Sequence, residues 1–341
     1  MSDNRIFLAT TGKSLARAEY LAGTWQIETL LSGTRITCLA ADPLKPPQLY
    51  AGTQGDGLLV SEDSGKTWRS AGLAGAPVRS LAISRHFPGT IFAGCKPVSL
   101  YVSQDSGGSW EELTGLRRAR RWWWFSPAEP PEWDPFVMAL TNSPTDPNVL
   151  MAGIELGGVL RSENGGRTWS KHRRGALLDC HSLTFHHSDG KWVYQGGAGL
   201  RSGAAYSRDG GYTWEQPREG LASKYGFTVA ADPARPEVWY LSASAQPNLL
   251  RGEFTPPAHN DGQARAHIYR SVGGAAWEQL SGGLPEPLDY MAYALIPDLQ
   301  KTGHLYAGLA NGDVWHTQDY GDSWEQLPFN LGGIHHTMIM I

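Results

Sequence analysis

The sequence has few charged side chains and few cysteines. Only 18% of its 341 residues are Asp, Glu, Lys or Arg, and the formal net charge is −4. So small a charge gives no field that would draw in nucleic acid or an anionic membrane, and we expect neither as a partner. The three cysteines contain no CxxC pair, and an odd number makes no disulfide framework, so we expect buried thiols.

Long apolar runs and a leader are also lacking. No stretch approaches the roughly 18 apolar residues that cross a bilayer. The N-terminus, MSDNRIFLATTGKS, has neither the basic nor the apolar region of a secretory signal. These absences predict a cytoplasmic protein without a membrane segment. No spacing of His, Cys, Asp or Glu demands a metal, and we predict neither a metal nor a cofactor.

Glycine and tryptophan are abundant, with 41 and 14 copies, as in proteins built from many short strands and tight turns. An eight-residue pattern, S-x-D-x-G-x-T-W, recurs along the chain. Its clear copies are SEDSGKTW (61–68), SQDSGGSW (103–110), SENGGRTW (162–169), SRDGGYTW (207–214) and TQDYGDSW (317–324). Degraded copies are GTW (23–25) and SVGGAAW (271–277).

The spacing of these copies predicts the fold. Their tryptophans lie 42 to 63 residues apart, and a four-stranded propeller blade needs about 40–45 residues. The chain begins with a second strand, RIFLAT (5–10), and ends with an unpartnered apolar run, IHHTMIMI (334–341). Placing that run innermost in the first blade removes an open edge. We therefore predict an all-β fold in which residues 1–341 form one seven-bladed β-propeller of four-stranded blades, closed by the C-terminal strand pairing into the N-terminal blade.

The eight-residue pattern resembles the Asp-box, or BNR repeat, of the sialidase-like β-propeller superfamily, and the resemblance covers essentially the whole chain. In that superfamily the pattern forms the hairpin between the third and fourth strands of a blade. Asp and Ser side chains can bond the turn backbone, and Gly supplies a positive φ. We therefore assign a structural role to the repeat carboxylates, which belong to Asp63, Asp105, Asp209 and Asp319.

Two segments are too long for ordinary blade loops. Residues 115–135 lie between the third and fourth blades, and residues 245–265 join the second and third strands of the sixth. Strand directions place both on the face opposite the Asp-box turns, at one mouth of the central channel, and long loops tend to be functional. The first segment contains RRARR and WWW. Its tryptophans could form a platform for a sugar ring or pack as a lid onto the propeller. Arginines beside aromatic rings could also bind a nucleic-acid strand by charge and stacking.

The predicted starts and ends of the strands then indicate which side chains lie near this mouth. Candidate ligand-binding residues are Arg35, Arg79, Lys96, Trp122, Trp123, Trp124, Arg201, Tyr225, Tyr290, His335 and His336. The arginines among them could bind a carboxylate or a phosphate through paired hydrogen bonds. Candidate catalytic groups for acid–base chemistry are Glu155, Asp179, His181 and Asp134. Glu155 lies in the apolar stretch MAGIELGGVL, where desolvation would raise its pKa.

The resemblance implies competing functions. Sialidases have six blades and an F-R-I-P motif that this chain lacks, so we do not expect sialidase activity. The chain is also similar to xyloglucan-cleaving glycosidases, which pair two such propellers, and to single-propeller bacterial glycosidase-like proteins. The propeller of the photosystem II assembly factor, which it also resembles, is a protein-binding scaffold. We expect a small-molecule or glycan ligand, carbohydrate or anionic, at the channel mouth. Whether the protein also hydrolyses this ligand, as a glycoside hydrolase, stays open. The alternative is a non-catalytic scaffold with a protein partner.

Overall fold

The computed structural model describes residues 5–124, 134–198, 202–247 and 256–341. Within these ranges the secondary structure is almost entirely β. The described helices are one short α-helix, α1 (Gly115–Ala119), and one 3-10 turn at Pro257–His259. In the described ranges no helix has the length and apolar character that crossing a bilayer requires.

The strands pair antiparallel into sheets of consecutive segments. The first sheet contains β1 (Ile6–Thr10), β2 (Leu15–Leu21) and β3 (Thr24–Leu30). The second contains β4 (Ile36–Ala41), β5 (Leu49–Thr53), β6 (Leu58–Ser61) and β7 (Arg69–Ser70). The third contains β8 (Val78–Ile83), β9 (Ile91–Cys95), β10 (Ser99–Ser103) and β11 (Glu111–Glu112). The fourth contains β12 (Val137–Asn142), β13 (Leu150–Ile154) and β14 (Gly158–Ser162).

The fifth sheet is larger and has two halves. Its first half contains β15 (Asp179–Phe185), β16 (Val193–Ala198) and β17 (Ala204–Ser207). Its second half contains β18 (Tyr225–Ala231), β19 (Val238–Ser244), β20 (Ala266–Val272) and β21 (Glu278–Leu280). In the described part of the chain one residue pair, Ala198 with Tyr225, joins the halves. The last sheet contains β22 (Ala292–Pro297), β23 (Leu305–Leu309), β24 (Asp313–Thr317) and β25 (Glu325–Asn330).

The final strand, β26 (Met338–Met340), returns to the first sheet. It pairs antiparallel with β1, which puts Phe7 opposite Met340. The backbone groups of Ile6 and Ile341 exchange two hydrogen bonds of 3.0 Å beside this pair. The two ends of the chain are therefore held in one sheet by backbone hydrogen bonds.

Apolar side chains fill the spaces between successive sheets. Leu8 of the first sheet packs in one buried cluster with Leu39 and Leu49 of the second. The first sheet also meets the last, because the rings of Phe7 and Tyr306 lie 5.2 Å apart. Since both faces of a sheet are covered, the second strands read as short apolar runs such as LYAGT and LYAGL.

The first strand of nearly every sheet contains an extra residue near its start. In β4, Ile36 pairs with Thr53 and Cys38 with Gly52, so Thr37 is bulged. The same register shift occurs in β8, β12, β15, β18 and β22. A Cβ atom on Gly52 would lie 2.5 Å from the sulfur of Cys38. Glycine opposite the bulge therefore lets the two strands stay in contact.

The eight-residue repeats form hairpins held by their own side chains. Asp63 Oδ1 accepts hydrogen bonds from the Ser61 hydroxyl at 2.8 Å and the Thr67 amide at 2.9 Å, and Oδ2 accepts one from the Thr67 hydroxyl at 2.7 Å. Burial raises the pKa of Asp63, but hydrogen bonds from Thr67, Ser61 and Lys66 outweigh it and lower the pKa to about 2. Equivalent bonds surround Asp105, Asp209 and Asp319, and Asn164 takes the place of the aspartate in the copy at 162–169. These carboxylates are thus committed to turn structure.

Gly52→Ala should reduce the free energy of unfolding by about 2 kcal/mol, because the new methyl group meets packed atoms that cannot move freely. Gly55→Ala is the matched control, since a Cβ there has nothing within 4 Å among the described atoms. Urea denaturation of both variants measures the difference. Equal stability of the two would contradict the tight contact at the bulge.

Asp63→Ala should reduce the free energy of unfolding by about 1 kcal/mol at pH 7, because several turn hydrogen bonds are lost. The folded pKa is depressed, so this contribution is complete above the ordinary pKa of 3.8 and disappears as the pH falls towards 2. Glu62→Ala, which removes the exposed ion pair with Arg69, is the control and should change stability less. Urea denaturation between pH 7 and pH 3 tests whether the gap narrows.

Candidate functional site

A central cavity of about 200 Å³ is lined by β4, β8, β12, β15 and β18, which are among the strands that contain the bulges described above. The bulged residues of these strands reach it, because an extra residue re-aims its side chain. Those among its lining are Thr37, Arg79, Met138, His181 and Phe227. His336, just before β26, completes the wall on another side. The mouth of the central cavity is our name for the end at which these strands begin.

His181 is held in place through both ring nitrogens. Its Nδ1–H donates to the Gly226 carbonyl at 2.7 Å, and its Nε2 lies 3.4 Å from Asp179 Oδ2. Burial lowers the pKa of His181, but the hydrogen bond and charge of Asp179, the Gly226 carbonyl and the charge of Glu155 together raise it above the usual 6.5. Below this raised pKa the ring is an imidazolium, and its positive charge lies in the cavity wall next to the carboxylate of Asp179.

Asp179 has one engaged and one unengaged oxygen. Its Oδ2 faces His181, whereas its Oδ1 is buried and has no hydrogen-bond partner among the described residues. A buried acceptor without a donor is unfavourable by about 1–3 kcal/mol. A ligand hydroxyl or ammonium group at this position would remove that penalty.

Arg79 reaches the same cavity from β8. Its guanidinium donates to Gln54 Oε1 at 3.1 Å and lies 4.7 Å from the ring centroid of Phe136. Lys96 Nζ lies 5.3 Å from the same ring. Aromatic contact steadies both cations. The mouth therefore contains two basic side chains, one from β8 and one from the residue that follows β9.

His336 is a neutral imidazole beside these cations. Its backbone has φ 72, in the left-handed region that glycine favours, and its ring stacks on Phe227 at 5.9 Å. More than a third of the His336 surface is exposed, but desolvation by neighbouring protein atoms lowers its pKa, and the charges of Arg79, His335, His259 and Arg35 lower it further. It can thus donate or accept a hydrogen bond at neutral pH, but it adds no charge.

His259, which sequence reasoning missed, comes from the second insertion. Its Nε2 accepts from the Tyr225 hydroxyl at 2.8 Å, and its Nδ1 lies 3.3 Å from the Tyr293 hydroxyl. Tyr293 in turn donates to the Ala258 carbonyl at 3.2 Å. Burial and the charge of His181 lower the pKa of His259. The feature of the sequence that could have indicated His259 is its position within the second insertion.

Residues 1–253 match the sequence profile of the DUF6242 β-propeller domain. The chain belongs to the DUF6242 β-propeller family. None of the curated proteins matches it.

Solved structures share the fold of this family member at low identity. YCF48 bound to a D1 peptide has a TM-score of 0.55 and 14% identity, over 85% of this chain and 81% of its own. The GH74 enzyme of Niastella koreensis has a TM-score of 0.63 and 13% identity, over 94% of this chain and 46% of its own. The WD40 repeats of RRP9 have a TM-score of 0.59 and 12% identity, over 88% of this chain and 81% of theirs. At such identity the likeness concerns the fold alone.

Several residues predicted from sequence surround the same mouth in this DUF6242 propeller. The charges of Glu155 and Asp179 both act on His181 and on Tyr225. The ring of Tyr225 lies 4.8 Å from that of His181. The charges of Arg35 and His335 act on His336, and the His335 amide donates to the Thr10 carbonyl at 2.6 Å.

Other predicted residues lie elsewhere or have different partners. Asp134 faces Arg120 at 3.5 Å, and Tyr290 packs partly buried against the core. Trp124 is buried, whereas Trp123 is half-exposed and Trp122 is 92% exposed. Arg201, together with 125–133 and 248–255 of the two insertions, lies outside the described residues. Among the described side chains, no group of three or more His, Cys, Asp or Glu residues could hold a metal ion.

The imidazoles of the mouth should titrate on opposite sides of their ordinary pKa. We expect the midpoint of His181 above 6.5 and those of His336 and His259 below it. Asp179→Asn should lower the His181 midpoint, because the carboxylate charge that favours the imidazolium is removed. Histidine side-chain NMR between pH 4 and pH 9 measures all three, with single His→Gln variants for assignment. An unchanged His181 midpoint in Asp179→Asn would show that the ion pair is not the cause.

Proposed function

We propose that residues 1–341 form a single seven-bladed Asp-box propeller. Two observations support this count. Among the described residues, the halves of the fifth sheet are joined at one residue pair, as expected of two adjacent blades. The hydrogen bonds between β26 and β1 suit a ring closed by the two termini. Both insertions then belong to one face, which agrees with the contact of His259 with Tyr225.

We further propose that the propeller binds a small anionic ligand at the mouth of the central cavity. The observation that carries this proposal is the presence of two basic side chains, Arg79 and His181, in the wall of one cavity. Guanidinium groups recognise carboxylates and phosphates with two parallel hydrogen bonds. Because the side chains of Arg79 and His181 are both buried, their charges are screened less than charges at the surface.

An acidic sugar suits this mouth better than a simple anion. Asp179 Oδ1 requires a donor, which a sugar hydroxyl supplies and a phosphate dianion does not. Tyr225 and Phe227 offer aromatic surface next to His181, and the apolar face of a pyranose can pack on such rings. The ligand would therefore bring its carboxylate to Arg79 and a hydroxyl to Asp179.

Hydrolysis of a glycosidic bond is a second candidate. Glycosidases need two carboxyl groups around the bond, and Glu155 and Asp179 both act on the same imidazole. The fold likeness to a GH74 enzyme permits this chemistry but does not assign it. The remaining candidate, a protein-interaction scaffold, is favoured by the 92% exposure of Trp122.

Arg79→Gln should weaken glucuronate binding at least tenfold, because a fixed cation at the mouth is lost. Glucose, which lacks the carboxylate, should bind much more weakly to the wild-type protein. The pKa of His181 is raised, so its cation is present below that pKa and affinity should fall as the pH rises through it. Titration calorimetry at pH 6 and pH 9 measures these effects. Arg69→Gln, on the exposed β7, is the control.

The same preparation tests hydrolysis with aryl glucuronides and aryl galacturonides. Turnover that Glu155→Gln abolishes while glucuronate binding persists would assign the protein as a glycoside hydrolase. Binding without turnover would leave a ligand-binding propeller. Equal affinity for glucuronate and glucose, or an unchanged Arg79→Gln variant, would contradict anion binding and favour the scaffold.

A further inference from the structure

A second cavity lies beside the first insertion, away from the central one. We call it the tryptophan pocket; its volume is about 340 Å³. Its lining residues are Ala119, Arg121, Trp123, Trp124, Gly157, Leu160, Lys171, His172 and Leu178. None of these described residues lines the central cavity. The two cavities are therefore separate as potential binding sites.

The floor of the tryptophan pocket is apolar and rigid. Trp124 belongs to a buried cluster that also contains Leu160. Gly157 lies so close that a Cβ atom would be 3.0 Å from the Trp124 ring. Trp123 and Leu178, which are 49% and 55% exposed, form the apolar part of the rim. An exposed apolar concavity of this kind favours a ligand with an apolar or aromatic body.

The polar side chains of the pocket are all donors. Nδ1 of His172 accepts the Val159 amide at 3.2 Å, and burial lowers the pKa of this imidazole. The neutral ring therefore carries its proton on Nε2 and can only donate to a ligand. Arg121 and Lys171 are donors by chemistry. Among the described lining residues none is Asp, Glu, Asn, Gln, Ser or Thr.

We propose that the tryptophan pocket binds an apolar or aromatic group that carries a carboxylate. The apolar floor takes the body, and the donors of Arg121, Lys171 and His172 take the anionic oxygens. A neutral sugar fits poorly, because its hydroxyl groups need acceptors as well as donors and the described lining offers no side-chain acceptor. The positive charges of Arg121 and Lys171 also favour an anion, because the described lining contains no carboxylate.

Two sources supply this chemistry. One is a free arylalkanoic acid, and the other is the C-terminal residue of a polypeptide, in which an apolar side chain accompanies the α-carboxylate. Trp122 stands beside the pocket with 92% exposure, and its ring contacts that of Trp123 at 5.8 Å. Tryptophan and arginine are enriched where proteins bind other chains. Trp122 should therefore contribute only when the ligand extends beyond the pocket.

The first experiment uses 3-phenylpropionate and its uncharged analogue 3-phenylpropan-1-ol in titration calorimetry. We expect the acid to bind at least tenfold more tightly than the alcohol. Trp123→Ala should weaken the acid at least tenfold, and Lys171→Glu should do the same by reversing the charge. Both positions are exposed at the rim, so neither substitution opens the core. Trp122→Ala is the matched control and should bind the small acid as the wild-type protein does.

The second experiment uses the peptide Gly-Gly-Phe with a free C-terminus and the same peptide as its amide. Tighter binding of the free peptide than of phenylpropionate, together with weakening by Trp122→Ala, identifies a polypeptide C-terminus as the source. Equal binding, with no effect of Trp122→Ala, identifies a free acid. The proposal is overturned if alcohol and acid bind alike, if neither acid nor free peptide binds, or if Lys171→Glu and Trp123→Ala leave affinity unchanged.

Discussion

The bulge near the start of the first strand in nearly every sheet is the constraint on which this structure depends. A strand between two covered faces must send its side chains alternately into the neighbouring cores. One inserted residue breaks that alternation and turns a side chain towards the central cavity. Arg79 and His181 are both such residues. The extra residue thus provides the cavity with functional groups while the rest of the strand stays in the apolar core.

Space for the bulge is provided by the paired second strand. Gly52 and Gly153 lie opposite the register shifts of β4 and β12, and a Cβ on Gly153 would lie 2.2 Å from the sulfur of Cys180 on the next sheet. The contact therefore involves both the bulged strand and the first strand of the neighbouring sheet. A substitution at such a glycine would move a cavity-lining residue as well as reduce stability. Packing and site geometry are coupled here through one small residue.

The sequence allowed the repeat, the all-β class and the role of the turn carboxylates to be predicted, because these depend on local patterns. Asp63 and its equivalents bond residues within the same eight positions. His259 was missed because its partners Tyr225 and Tyr293 lie more than thirty positions away on other strands. The difference between buried Trp124 and exposed Trp122 likewise depends on packing against Gly157 rather than on the WWW motif.

Charge distribution explains why three similar imidazoles differ. His181 has a carboxylate within 3.4 Å, so the imidazolium is favoured. Desolvation lowers the pKa of His336, and the neighbouring arginine charges lower it further. Desolvation also lowers the pKa of His259, and the charge of His181 acts in the same direction. An anion entering the mouth would reduce the repulsion on all of these groups. Ligand binding and protonation of the mouth are therefore thermodynamically linked, and an anion should raise the pKa of each imidazole it approaches.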